Sequence, residues 1–211
     1  MMAEDEFVVF VIDDDASVCK SLMRLLRSFG YETRVFSSAE HFLEQEPFQG
    51  TGCIILDIRM PGIGGMALQD ELCKTQGGLP IIFISGHGDI PMSVQAMKKG
   101  AVDFLPKPFE DRQLLDAIIN ALDKSRQAEM IRNELNSVRM RLDRLTPRER
   151  EVLPFIIAGL LNKQIAFKLN ITEKTVKVHR AHIMEKLGVN SVAELVRLAE
   201  KANIEPSVQR P

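Results

Sequence analysis

The chain is poor in cysteine: Cys19, Cys53 and Cys73 are odd in number, and none stands at metal-ligand spacing from another. That argues against a disulfide scaffold or a zinc-type site and leaves small reduced core residues of an intracellular protein. No apolar run approaches the length of a membrane span, and the acidic start, Met-Met-Ala-Glu-Asp-Glu, leads into no signal-type region. A cytoplasmic protein without membrane contact is expected. Glycine and proline are both missing between residues 110 and 144, which excludes a flexible tether there and favours helix. Net charge is small too, at −2, but it is unevenly spread. Residues 144–211 hold 12 Lys/Arg against 7 Asp/Glu, a balance of +5, and the preceding part balances at −7. An acidic first part joined to a basic last part implies different partners, nucleic acid being the usual one for the basic part.

What is present begins with buried strands. Phe7–Ile12, Gly52–Leu56 and Pro80–Ile84 are continuous apolar runs, Thr33–Phe36 is a short strand, and Ala101–Leu105 reads as a fifth. Between them lie helical patterns: Val18, Leu22, Leu25, Leu26 and Phe29 stopped by Gly30, and Met66, Leu68 and Leu72. Pro91 through Lys99 is a third, stopped by Gly100, and a helix follows Pro108. Ser37 and Glu40 form a capping-box signal for a helix after the second strand, and Asp15 is expected to cap the first. Strands apolar on both faces alternating with helices imply an α/β doubly wound, five-stranded parallel sheet.

In such sheets sites form at the carboxyl ends of strands. Those ends carry Asp13 and Asp14, Asp57, Ser85 and, just past the fifth, Lys107. Three carboxylates brought together repel, and a hard divalent cation with oxygen ligands relieves the repulsion. Mg²⁺ (or Mn²⁺) would screen Asp57 from a phosphoryl donor, so that its carboxylate can attack phosphorus. Lys107 is suited to hold the transferred group as a point charge, and Ser85 to donate a hydroxyl hydrogen bond. His41 and His87 are read as surface or loop residues.

Asp13-Asp14, Asp57-Ile-Arg-Met-Pro-Gly, Ser85-Gly, Phe104 and Lys107-Pro108 together resemble the receiver domain of two-component response regulators, which has a flavodoxin-like fold. The resemblance implies that Asp57 accepts a phosphoryl group from a sensor histidine kinase. It implies Mg²⁺ bound by Asp14, Asp57 and the main-chain carbonyl of Arg59, with Asp13 acting through water. Ser85 and Phe104 would be the switch pair, although Phe104 lacks the hydroxyl of the more familiar Tyr. The Lys107–Pro108 bond is expected to be cis.

Past the receiver, Ala128, Ile131, Leu135, Val138, Leu142 and Leu145 recur at 3-4-3-4-3 spacing. This is either an amphipathic helix lying against a domain or a long helix that continues the last receiver helix and pairs with its copy. Thr146-Pro-Arg-Glu149 is a capping box with Pro at the first helical position. The helix it opens contains Pro154, which removes a backbone donor and should kink it, at a cost of about 3 kcal/mol in an ideal helix. Helices follow from Asn162, from Glu173 to Leu187 ended by Gly188, and from Ser191, whose partner in a further capping box is Glu194. Two are joined by the tight turn Asn170-Ile171-Thr172, giving an all-α four-helix unit with a helix-turn-helix. On the third helix Val176, Ile183 and Leu187, with Ile171, can be buried. Lys174, Thr175, Lys177, Val178, Arg180 and Ala181 face outward, as a recognition helix in the major groove of double-stranded promoter DNA requires.

Leu145-Thr-Pro-Arg-Glu-Arg-Glu-Val-Leu153, Asn162-Lys-Gln-Ile-Ala166, Thr175-Val-Lys-Val-His179 and Lys186-Leu-Gly188 resemble the LuxR-type DNA-binding domain. With the receiver they are similar to the FixJ-like subfamily of response regulators, Pro154 departing from the usual helix former. The organisation expected is a receiver at 1–123, a helical linker at 124–144 and the DNA-binding domain at 145–211. The resemblance implies a transcriptional regulator; a homodimer on phosphorylation is expected, RNA polymerase is a candidate further partner, and the protein is not expected to be an enzyme. Two other functions compete. One is a haloacid-dehalogenase-like phosphatase or phosphotransferase, for which Asp13-Asp-Asp-Ala-Ser17 has the spacing but not the Gly-Thr. The other is a receiver that works without phosphorylation.

Overall fold

A computed structural model describes residues 7–48, 50–74, 78–86 and 90–207. The expectation for His87 falls outside these. The chain divides into two compact units at Met130 and Ile131.

In the first unit the strands are β1 (Val8–Ile12), β2 (Glu32–Phe36), β3 (Gly52–Asp57), β4 (Ile81–Ser85) and β5 (Asp103–Pro106). The helices are α1 (Ala16–Ser28), α2 (Ala39–Leu43), α3 (Gly65–Lys74), α4 (Ile90–Lys98) and α5 (Asp111–Asp143). All neighbouring strands pair in parallel, in the order β2-β1-β3-β4-β5. The strand order reverses beside β1 and β3, which is where a doubly wound sheet opens a crevice.

The apolar runs form strands because helices cover both sheet faces. Phe10, Ile12, Ile54, Leu56 and Phe83 pack with Ala39 of α2, Leu68 of α3 and Ala96 of α4. The alternate residues Val9, Val11, Ile55, Ile82 and Ile84 pack with Leu22 and Leu26 of α1 and Leu114 and Ile118 of α5. Cys19 and Cys53 are buried as expected, whereas Cys73 is exposed. Phe29, expected on the buried face of α1, is 56% exposed, because α1 ends at Ser28 and the chain turns through Gly30 at φ +84. Asp15 caps α1 by accepting the N–H groups of Ser17 and Val18. The cap of α2 is Ser38, not Ser37, and its hydroxyl accepts from His41 N–H. The carboxylate of Glu40 reaches the loop after β3, where it accepts the N–H of Ile63.

In the second unit the last turns of α5 are followed by α6 (Pro147–Ile157), α7 (Asn162–Leu169), α8 (Glu173–Leu187) and α9 (Val192–Lys201). The Thr146–Glu149 capping box is formed, and α6 continues through Pro154, whose carbonyl accepts from both Ala158 and Ser207. Glu194 accepts from Asn190 N–H while Ser191 caps α9. Val152, Ile156, Ile165, Val176, Ile183, Leu187, Leu195 and Leu198 make the core. The linker stripe is split. Val138 and Leu145 are buried in this core and Leu142 packs on it, whereas Ala128 and Ile131 are exposed. The lying-against-a-domain alternative therefore holds from Val138 onward, and the stripe is one helix with α5 as far as Leu142, Leu145 lying past its end at Asp143. Among the described residues no helix is long and apolar enough to cross a membrane.

Candidate phosphorylation site and nucleic-acid interface

The carboxyl ends of β1, β3, β4 and β5 bring Asp13, Asp57, Ser85 and Lys107 to one edge, because the four strands are parallel and in register. The Lys107 ammonium reaches Asp13 Oδ2 at 2.6 Å and Asp57 Oδ1 at 2.7 Å. Asp13 is 1% exposed and Asp57 6%, so both carboxylates are largely out of water. The second oxygen of each accepts a backbone N–H, from Asp15 at 2.9 Å and from Arg59 at 2.7 Å. Burial pushes the Asp13 carboxyl up, against the hydrogen bonds from Lys107 and Asp15. Burial also disfavours the Lys107 ammonium, but the two carboxylates outweigh it and hold Lys107 above its ordinary value, hence charged at neutral pH. Lys107 N–H donates to the Ser85 carbonyl at 2.7 Å, and the Lys107–Pro108 bond is cis.

Two of the expected members sit apart from this contact. Asp14 is exposed one residue beyond Asp13, and Phe104 is half-buried against the core made by Phe83, Ala96 and Ala101. Among the described residues, no three His, Cys, Asp or Glu side chains cluster as a metal centre. The donor set nonetheless suits a hard cation. Among the described residues Asp13 and Asp57 share one ammonium, that of Lys107, both offer oxygen, and a set of few carboxylates matches Mg²⁺, which keeps several waters.

In the second unit Asn170 takes the left-handed conformation at φ 52 and ends α7, and Thr172 caps α8 through Thr175 N–H at 3.1 Å. This is the tight helix-turn-helix. Val176, Ile183 and Leu187 are fully buried. Lys174, Lys177, Val178 and Ala181 are exposed, and Thr175 and Arg180 are half-buried. Thr175 shares a hydroxyl contact of 2.8 Å with Thr172, and Arg180 donates to the Leu160 carbonyl at 3.4 Å.

Glu149, a capping residue by its sequence position, has a second partner across the domain. Its carboxylate, 2% exposed, also accepts Lys186 from α8 at 2.7 Å, and His182 Nδ1 lies 3.7 Å away. Burial alone would raise this carboxyl, yet the Lys186 and Thr146 hydrogen bonds win and hold it below the ordinary range. No local signal marks a pair 37 residues apart.

The family model described as "Response regulator receiver domain" matches residues 9–119, and "Bacterial regulatory proteins, luxR family" matches 143–199. The chain belongs to the response regulators that join a receiver to a LuxR-type DNA-binding domain. It is 43% identical over 202 residues to nodulation protein W of Bradyrhizobium diazoefficiens, covering 96% of this chain and 89% of that one. It is likewise 43% identical to the transcriptional regulatory protein FixJ of the same organism, over 93% of this chain and 96% of that protein. A low-resolution structure of the response regulator StyR superposes with a TM-score of 0.79 at 50% identity, covering 93% of this chain and 99% of the other. Transcription regulation through a receiver is thus the function of the family.

Proposed function

We propose that Asp57 is the phospho-acceptor through which a sensor histidine kinase controls binding of this regulator to promoter DNA. The observation that supports it most is the Asp57 carboxylate, buried at the end of β3 and oriented by Lys107 on one oxygen and Arg59 N–H on the other. Such positioning is what phosphoryl transfer asks of a protein. A carboxylate oxygen attacks the phosphorus of a phosphohistidine, the P–N bond breaks, and the released imidazole takes up a proton. The product is an acyl phosphate on Asp57. Asp14, Asp57 and the Arg59 carbonyl, with Asp13 through water, would hold Mg²⁺ (or Mn²⁺), which would supply charge neutralisation.

Lys107 is placed to follow the transferred group, Ser85 to donate a hydroxyl hydrogen bond to it, and Phe104 to change packing in response. The receiver spans 1–123, the linker 124–144 and the DNA-binding domain 145–211. Phosphorylation favours a homodimer, whose recognition helices present Lys174, Lys177 and Arg180 to phosphates and Thr175, Val178 and Ala181 toward base edges. The protein works in the cytoplasm, engages RNA polymerase at its promoters, and turns over no small phosphomonoester.

The test is incubation with acetyl phosphate and Mg²⁺, followed by intact mass and sedimentation, for wild type and Asp57→Asn. Wild type should gain one phosphoryl group and dimerise, and the variant should do neither. Labelling of Asp57→Asn at the wild-type level would overturn the assignment.

A further inference from the structure

We infer that Glu40 is a positioning residue of the phosphorylation site, pinning from α2 the loop after β3 that carries the Arg59 carbonyl. The inference rests on the reading of Asp57 and its cation given above, and it adds a residue outside the strand ends. Glu40 Oε1 accepts the N–H of Ile63 at 2.7 Å, across 23 residues of sequence. Gly62, at φ +75, turns its backbone so closely onto that carboxylate that a Cβ there would lie 2.3 Å from the same oxygen. Backbone and carboxylate are therefore fitted to each other, and only glycine takes this conformation without strain. The hydrogen bond from Ile63 N–H also holds the Glu40 carboxyl below its ordinary range, so it is charged at neutral pH.

The remaining anchors of the loop explain why a separate one matters. Its start is held by Arg59 N–H on Asp57 Oδ2 at 2.7 Å and by Ile58 N–H on the Ile84 carbonyl at 3.3 Å. Its end is held by Gly65 N–H on the Ile58 carbonyl at 3.0 Å, and Met60 is buried in the core between them. The first of these depends on the carboxylate that becomes esterified. Phosphorylation esterifies one oxygen of that carboxylate and removes its charge, so the Arg59 N–H exchanges a carboxylate acceptor for the weaker neutral oxygen of an acyl phosphate. Glu40 is untouched by the chemistry and keeps the loop, and with it the Arg59 carbonyl, in place in both states. Partners of metal ligands commonly change metal affinity in this indirect way.

The experiment uses the full chain. Mg²⁺ affinity is measured by NMR titration of backbone amides for wild type, Glu40→Gln and Glu40→Ala, and labelling by acetyl phosphate is followed at limiting and saturating Mg²⁺. Glu40→Ala should bind Mg²⁺ about tenfold more weakly. Its labelling rate at saturating Mg²⁺ should stay within about threefold of wild type, and hydrogen exchange of the Ile63 amide should quicken. Glu40→Gln, which keeps an oxygen for Ile63 N–H, should recover most of the affinity. Unchanged affinity in Glu40→Ala, or equal loss in both variants, overturns the role of Glu40 while wild-type labelling leaves Asp57 standing. A wild type that neither binds Mg²⁺ nor labels overturns both.

Discussion

Glu149 offers a test of how the DNA-binding domain fixes its recognition helix. Its carboxylate satisfies Thr146 N–H at 2.8 Å on its own helix and the Lys186 ammonium at 2.7 Å on α8. Replacement by Ala removes both, and replacement by Gln keeps an oxygen for the cap but loses the charge. The cap contributes about 1 kcal/mol. The charge-assisted bond contributes about 2 kcal/mol, below the value for a fully buried pair because Lys186 is 32% exposed and keeps some water. Glu149→Ala should therefore cost about 3 kcal/mol and Glu149→Gln about 2 kcal/mol. The measurement is a urea titration of the full chain, with amides of α6 and α8 reporting the domain and amides of β3 and β4 as internal reference.

The pH dependence has a definite sign. Because the folded carboxyl lies below its ordinary 4.5, the stabilisation is complete above that pH and lost as pH falls through the lowered value. The Gln variant has no such loss, so the two curves should converge in acid. A difference under about 0.5 kcal/mol at neutral pH would refute the argument, as would additivity of Glu149→Gln with Lys186→Met.

Gly65→Ala should destabilise the receiver by more than about 2 kcal/mol, since its Cβ would lie 2.3 Å from the Asp57 carbonyl oxygen, and slowed acetyl-phosphate labelling should accompany the loss. Lys177→Ala should weaken binding to all duplex sequences alike and lower the salt slope of affinity by about 1, whereas Thr175→Ala should change the ranking of sequences. A fragment starting at residue 131 should be about 3 kcal/mol more stable to urea than one starting at 145, because only the longer one keeps Val138 and Leu142 in the core. Equal midpoints for the two fragments would show that the end of α5 is not part of that domain's fold.

Much of the receiver could be read from the chain because buried parallel strands leave uninterrupted apolar runs and place their chemistry at the ends. Asp57, Ser85 and Lys107 are visible for that reason. The recognition helix was legible from its two faces, and Val176, Ile183 and Leu187 are buried as their spacing required. What escaped is tertiary. Glu40 carries a local capping signal, yet its carboxylate is satisfied by a loop 23 residues on. The heptad stripe is periodic along its whole length, but periodicity does not say which neighbour covers each turn. The structure gives Val138 and Leu145 to the DNA-binding core and leaves Ile131 exposed.

Helix α8, proposed above as the recognition helix, separates its tasks by face. Its inward residues anchor the domain, and of Lys174, Thr175, Lys177, Val178, Arg180 and Ala181 only Thr175 and Arg180 make side-chain hydrogen bonds among the described residues. Exchanges at Lys174, Lys177, Val178 or Ala181 should accordingly leave folding almost unaffected, within about 0.5 kcal/mol. Promoter preference can then drift between descendants of such a regulator by single steps, each tolerated by the scaffold, without passing through an unfolded ancestor.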